Sequence, residues 1–349
     1  MSGLELGVAR VPPVRASQHC RWCVPSHTRP LRRNLPSLEH RRAQVWTEAA
    51  STERSAAPSD AEAPSPSHSQ PRLARGTIRV LAETEEYLVI DKPAGLSFHR
   101  KIGEHSADGE EQDGTLQAVR RAQREGLLLG SAYQGRLHSV HRLDEPTSGA
   151  LLFAKSSEAA GTASALFRDH SVVKYYVAIS QRRPKKKQGT VKGGMRRSRR
   201  GGWMLTRAVK GADNVAVTRF RSWSIAGLGA GMRAYVLRPE TGRTHQLRVA
   251  MKSLGAPIAG DKAYGTGNGD RLYLHAAALR VPLGPKGAGV LEVVSVPTDG
   301  TYFASAAFRE EWWEEVFLPQ VRRTGGVWFA DDPLLRSEGR SDASTERAE

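Results

Sequence analysis

The segment Leu137-His-Ser-Val-His-Arg-Leu-Asp-Glu-Pro-Thr-Ser-Gly149 carries the densest set of reactive side chains in the chain. Val140 and Leu143 flank the charged Arg142 and Asp144, and a Pro-Thr-Ser-Gly turn leads straight into the apolar run Gly149-Ala-Leu-Leu-Phe-Ala154. An aspartate held where a loop enters a core strand is restricted, partly desolvated and able to face a cleft. A carboxylate so placed can form a covalent adduct at an anomeric carbon, as in retaining glycosidases. The same residue types have a plainer use. Asp before Pro-Thr is often a turn or cap residue, and an Arg-x-Asp pair is often a structural salt bridge. A second segment, Arg238-Pro-Glu-Thr-Gly-Arg-Thr-His-Gln-Leu-Arg248, puts three arginines, a histidine and a glutamine around a turn that opens a helix. Helix N-termini and arginine forks both bind phosphate. An arginine here could also pair with Asp144 and favour its charged form. The alternative is a polar cap on a basic helix.

Other chemistries lack their residues. There is no Gly-x-x-x-x-Gly-Lys-Ser/Thr phosphate loop, no Gly-x-Gly-x-x-Gly opening a helix after a strand, and no Gly-x-Ser-x-Gly elbow. Gly227-x-Gly229-x-Gly231 lacks the strand-to-helix context and reads as a turn. The cysteines, Cys20 and Cys23, form one Cys-x-x-Cys. Even with His19 and His27 nearby they lack the second pair of a usual structural zinc site, and they read as incidental. The expectation is an enzyme that needs neither metal nor nucleotide cofactor. A glycosidase built on Asp144 would need a second carboxylate, and Glu145 next to it would normally point elsewhere. Lys and Arg number 52 against 36 Asp and Glu, a net charge of +16. Such an excess favours polyanionic partners through steering and counterion release, nucleic acid before an anionic membrane surface. No apolar run approaches the roughly 20 residues that span a bilayer.

The elements that must position these residues lie between about Gly76 and Gln320. Thr77–Leu81, Tyr87–Asp91, Gly149–Ala154, Lys174–Ile179 and Tyr273–Val281 read as strands, because β-branched and apolar residues come in short runs between turn residues. Ser156–His170 reads as a helix with a serine cap, and a second helix leads to Leu254 with Leu247, Ala250 and Met251 on one face. Helices interrupt strands without a βαβ rhythm, which predicts an α+β domain rather than a doubly wound one. Before Glu48 there are eight arginines, no lysine and two acids, and no apolar h-region follows Met1. Residues 1–75 therefore read as a disordered leader. They resemble an organellar transit peptide (chloroplast or mitochondrion) followed by a Pro/Ser linker, the alternatives being a non-targeting tail and a cytoplasmic or nuclear protein. Residues 321–349 read as a polar tail, and the acidic, glycine-containing stretch 97–114 as a flexible loop of no assigned role. The run Arg182-Arg-Pro-Lys-Lys-Lys187 through Met195-Arg-Arg-Ser-Arg-Arg200 reads as a basic hairpin or flap. In it Lys185, Lys186, Lys187, Arg196 and Arg197 would hold phosphates; a nuclear-localisation signal or a solvated loop is the alternative.

His141-Arg-Leu-Asp-x-x-Thr-Ser-Gly149, Lys174-x-Tyr-x-Ala178, Thr241-Gly-Arg-Thr-His-Gln-Leu-Arg248, Gly260-Asp-x-x-Tyr-Gly265 and Leu274-His-Ala-Ala277, in this order, resemble the RluA family of RNA pseudouridine synthases. Tyr87-x-Val-Ile-Asp-Lys-Pro-Ala-Gly95 fits as well, so the resemblance covers residues 77 to 305. It implies a mixed, mostly antiparallel sheet with flanking helices and a central cleft for RNA. It implies Asp144 as nucleophile, and Tyr176 as the ring that stacks on the uracil and takes the C5 proton. It also implies Arg243 as the aspartate's basic partner, Leu247 beside the base, and Arg142 entering the RNA helix as the uridine leaves. The partner would be rRNA or tRNA, the protein a cofactor-free monomer, and the competing class a non-catalytic RNA-binding or RNA-folding protein on the same scaffold. No N-terminal S4 module is legible.

Overall fold

The computed structural model describes residues 77–98, 101–105, 111–199, 201–209, 211–283 and 289–322. The leader, the Cys20–Cys23 pair and the tail beyond residue 322 lie outside the described residues. Fourteen strands and four α-helices follow one another as β1 (Ile78–Glu83), β2 (Tyr87–Lys92), β3 (Lys101–His105), β4 (Glu111–Gln112), α1 (Thr115–Arg124), β5 (Leu128–Leu129), β6 (His138–Ser139), β7 (Ser148–Ala154), α2 (Ser157–Arg168), β8 (Val173–Ser180), β9 (Gln188–Arg197), β10 (Trp203–Thr206), β11 (Val215–Ser224), β12 (Arg233–Pro239), α3 (Gln246–Ser253), β13 (Leu274–Pro282), β14 (Val290–Val294) and, after a π-helical stretch Ala307–Phe317, α4 (Leu318–Arg322). Twelve strands form one sheet in the order β10-β9-β11-β12-β8-β13-β7-β2-β1-β5, with β14 on β13 and β6 on β7. The pairings are antiparallel except β1 with β5 and β13 with β7. The α+β expectation therefore holds. Within the stretch 97–114, expected to be a loop, Lys101–His105 and Glu111–Gln112 pair as a small separate sheet, β3 with β4. That stretch is polar and short, so it gives no apolar alternation to read.

β7 is buried along all seven residues, which is why its sequence is a continuous apolar run rather than an alternation. It lies between β2 and β13 at the centre of the sheet. One residue in it is fixed by the closeness of β13: Gly149 has φ 110°, and a Cβ there would sit 2.4 Å from the Ala276 carbonyl oxygen. Only glycine lets the two backbones approach so closely immediately beyond the Asp144 loop. α2 begins where expected, with the Ser156 hydroxyl accepting from the Ala159 N–H at 3.1 Å. α1, which sequence reading passed over, buries Ala118, Val119 and Ala122 against the β1–β2–β7 face, in the cluster that also holds Leu143. A larger cluster gathers β8, β12, α3 and the aromatic C-terminal segment, including Phe303, Phe308, Trp313 and Phe317. Tyr176 packs against both clusters.

Candidate active site

A cleft of about 500 Å³ opens where the loop before β7 faces β8 and the turn into α3. Arg142, Asp144, Tyr176, Arg243 and Leu247 all line it, so the fold brings together five residues from segments far apart in sequence. Arg142 is exposed at the mouth, its guanidinium carbon 5.7 Å from the centre of the Phe98 ring. The two neighbouring tyrosines divide: Tyr175 is buried in the core, and Tyr176 presents a half-buried ring to the cleft. Burial, and then the negative charge of Asp144, push the Tyr176 phenol well above its ordinary range.

Asp144 is the sole carboxylate among the lining residues, which also include the cations Arg142, Arg168, Lys174 and Arg243. Its loop is held from beneath by Lys92, at the end of β2. That side chain is 1 % exposed. Its ammonium donates to the carbonyls of Pro93, Glu145 and Thr147 at 2.9, 3.1 and 2.8 Å. The Gly95 N–H also donates to the Glu145 carbonyl, and the Thr147 N–H closes a turn onto the Asp144 carbonyl. Burial lowers the Lys92 pKa to about 7. Upstream, His141 stacks on Phe167 with ring centres 4.5 Å apart and accepts the Leu152 N–H on Nε2 at 2.9 Å. Burial holds its pKa down to about 3, so the imidazole is neutral and its role is to pin the loop to β7.

The arginine paired with Asp144 is Arg248, with Nη1 3.8 Å from Oδ2; it is not Arg243. Arg243 is exposed, and its Nε lies 3.4 Å from the Val215 carbonyl. The reason is local. Gln246 accepts from the Arg243 N–H at 2.9 Å and from the Thr241 hydroxyl at 2.7 Å. It also donates to Val217 O and Thr218 Oγ1 at 3.0 Å each. This pins the turn against β11, where Arg243 points along the strand, while Arg248 in the first turn of α3 faces inward. Arg248 is clamped by a bidentate pair to Asp261, at 2.9 and 2.7 Å, and Asp261 is 0 % exposed. Asp261 Oδ1 also accepts the N–H groups of Ala263 and Tyr264, both at 3.0 Å. Gly260, at φ 72°, sets up this turn so close to Arg271 that a Cβ would lie 1.7 Å from its carbonyl oxygen.

Three features escaped sequence reading. His245, which also lines the cleft, sits in the left-handed region at φ 57° and bonds through Nδ1 to the Tyr264 hydroxyl at 2.7 Å. A non-glycine residue in that region is uncommon and, where the surroundings enforce it, marks a functional site more often than a random loop. Tyr264 accepts the Trp203 N–H of β10 at 2.9 Å, and its ring lies 5.0 Å from the Arg248 guanidinium carbon. One side chain thus touches the β9–β10 hairpin and the arginine of the site. Below the cleft runs a buried chain. The Arg271 guanidinium donates to Ser148 Oγ at 2.6 Å, and Ser148 bonds His275 Nδ1 at 2.8 Å. His275 Nε2 reaches the Ser295 carbonyl at 3.0 Å, and the Ser295 hydroxyl donates to Asp91 at 3.0 Å. A carbonyl only accepts, so the proton of neutral His275 is on Nε2, and the Ser148 hydroxyl donates to Nδ1.

The expected single basic flap divides: Arg196 and Arg197 lie near the turn of the β9–β10 hairpin at the sheet edge, whereas Lys185, Lys186 and Lys187 lie in the connection from β8 into β9, at the other end of β9. Lys185, Lys186, Lys187, Arg196 and Arg197 are exposed and do not line the cleft. Arg197 lies over the Trp203 ring at 5.2 Å. Among the described residues no helix is long and apolar enough to cross a membrane.

Residues 86–253 match the sequence profile described as RNA pseudouridylate synthase. An "Uncharacterized RNA pseudouridine synthase" of Haemophilus influenzae is 41 % identical over 204 residues, covering 58 % of this chain and 81 % of that protein. "Ribosomal large subunit pseudouridine synthase D" of Zymomonas mobilis is 34 % identical over 206 residues, 59 % of this chain and 61 % of that protein. The solved structure of "Human RNA Pseudouridylate Synthase Domain Containing 1" aligns at 25 % identity and a TM-score of 0.49, covering 66 % of this chain and 86 % of that one.

Proposed function

The chain belongs to the RNA pseudouridine synthases, and from that premise we propose that it isomerises uridines of structured RNA with Asp144 as its one reactive carboxylate. The observation that carries this reading is the make-up of the cleft: a single carboxylate beside a half-buried tyrosine, surrounded by cations. A glycoside hydrolase would need two carboxylates facing one bond. Isomerisation breaks N1–C1′, turns the freed uracil and joins C5 to C1′, with the C5 proton lost and N1 protonated. One carboxylate is enough, whether it attacks C1′ or removes the C2′ proton to give a glycal. The target base must leave its stack at a cost of a few kcal/mol. Stacking on Tyr176 returns about 1–3 kcal/mol, with Leu247 against the other side of the cleft and Arg142 at its mouth. A phenol with so high a pKa stays neutral and is a poor standing base, so Tyr176 acts as a platform first. If it takes the C5 proton, it must pass on its own in the same step. Arg248 orients Asp144 through the contact between Nη1 and Oδ2. Arg243, exposed at the rim, suits a phosphate.

Between ribosomal and transfer RNA, the name of the Zymomonas relative supports trying ribosomal RNA first. Incubating the purified chain with unmodified transcripts of both and mapping pseudouridine tests the reading. New pseudouridine at defined positions is expected, and none in either pool would refute it. The arginine-rich leader supports delivery to an organelle, which a reporter fused to residues 1–75 would test by its location.

A further inference from the structure

Away from the cleft, Arg120, Arg124 and Arg136 surround a concavity of about 340 Å³ whose other lining residues are Gln123, Gln134 and Gly135. Arg120 and Arg124 are four residues apart, one turn along α1, so their like charges repel. Arg136 comes from the loop that leads to β6. That loop is held rigidly to α1 by Gln123, which is buried and donates from Nε2 to the carbonyls of Tyr133 and Gly135 at 3.0 and 3.3 Å. The amide of Gln134 donates back to the Gln123 carbonyl at 3.1 Å, and the Tyr133 hydroxyl donates to the Arg136 carbonyl at 3.2 Å. Asp113, just before α1, is taken by Arg121 at 3.0 Å, and Glu125, which caps the C-terminus of α1, does not line the concavity. No carboxylate lines the concavity. The scaffold therefore gathers three guanidinium groups around the concavity, Arg120 also donating to the Leu137 carbonyl at 3.4 Å, and puts no carboxylate in its lining.

The concavity also has a position relative to the chemistry. Val119, Ala122 and Leu137 pack in the cluster that holds Leu143 and touches Tyr176, so it lies on the same sheet face as the cleft. β6 pairs His138 with Ala154, at the opposite end of β7 from Ser148 and the Asp144 loop. At about 3.3 Å per residue along β7, the two sites are roughly 20 Å apart.

We propose that this arginine pocket binds a backbone phosphate of the substrate RNA several nucleotides from the flipped uridine, as a second holding point on the opposite side from the β9–β10 hairpin. This rests on the RNA reading above. Planar guanidinium forks suit phosphate oxygens better than lysine ammonium groups do, and all three cations here are arginines. The test compares the full chain with its Arg124→Ala/Arg136→Ala and Arg124→Lys/Arg136→Lys variants. The probes are two labelled oligouridylates, one that fills only the cleft and one long enough to reach the pocket. The Ala pair should weaken the long probe and flatten its log Kd against log salt slope by about 0.7, the value for one single-strand phosphate contact. The short probe should be unchanged, and the Lys pair should restore most of the slope but not all of the affinity. An unchanged slope on the long probe, or an equal loss on both probes, would overturn the pocket. A wild-type chain that binds neither probe would instead overturn the RNA reading itself.

Discussion

The loop that carries Asp144 and the β9–β10 hairpin belong to the same sheet, and both are polar, but they are tied to it very differently. In the loop, the carbonyls of Asp144, Glu145 and Thr147 each have a donor, supplied by Thr147, Gly95 and the buried Lys92. His141 fastens its upstream end to β7. The hairpin and the β8–β9 connection before it instead leave Lys185, Lys186, Lys187, Arg196 and Arg197 exposed, and the hairpin meets the site through Tyr264. Forming a bond at C1′ depends on sub-ångström placement, so the group that does it must be over-determined. Holding a polyphosphate depends on charge that can move with its partner, and fixing those side chains would cost entropy for no gain.

That contrast predicts a ranking of effects on the fold. Arg248→Met removes the partner of a fully buried Asp261 and should destabilise the protein by about 3–5 kcal/mol in chemical denaturation. Arg248→Lys should fold better and still be slow, since one ammonium cannot serve Asp261 bidentately and reach Asp144. Lys92→Met comes next. It strands buried carbonyls, at about 1–3 kcal/mol for each left without a partner, less what is regained by no longer burying an amine. With a folded-state pKa near 7 against 10.5 unfolded, the unfolded chain binds more protons between those values. Lys92 therefore adds stability as pH rises through that window, and the Met variant should lack the rise. Tyr264→Phe breaks the link between the two regions while keeping the ring on Arg248. It should cost about 1–2 kcal/mol for two net hydrogen bonds and raise KM for RNA more than it lowers kcat. Changing Lys185, Lys186, Lys187, Arg196 and Arg197 to Gln should leave stability within about 0.5 kcal/mol, yet flatten the salt dependence of RNA binding. A stability loss there as large as that of Lys92→Met would erase the distinction between the regions.

Much of this was legible in the sequence because it is local. The run 149–154 is apolar throughout because β7 is covered on both faces, and Tyr176 sits in a pattern that alternates with its buried neighbours. The basic run 182–200 shows through its charge that it is exposed, but not that the whole length of β9 separates its lysines from the hairpin turn. What was not legible depends on where distant segments meet. Arg243 and Arg248 belong to one motif, and only the packing of α3 against the Gly260–Asp261 turn decides which of them reaches Asp144. Lys92 reads as the start of a turn, and nothing nearby in sequence says that its ammonium ends beneath residues 145–147. The helix α1 did carry a signal, Ala118, Val119 and Ala122 on one face, but its many polar residues hid it.

The most direct test of Asp144 as the reacting group is tritium release from RNA labelled at uridine C5, comparing wild type with Asp144→Asn at matched stability. The Asn side chain keeps the shape and a hydrogen-bond acceptor for Arg248 but cannot attack C1′ or take the C2′ proton. Release should fall to background while RNA binding and its salt slope stay as in the wild type. Release at the wild-type rate would show that the chemistry belongs to some other group, and that the fixed loop serves another purpose.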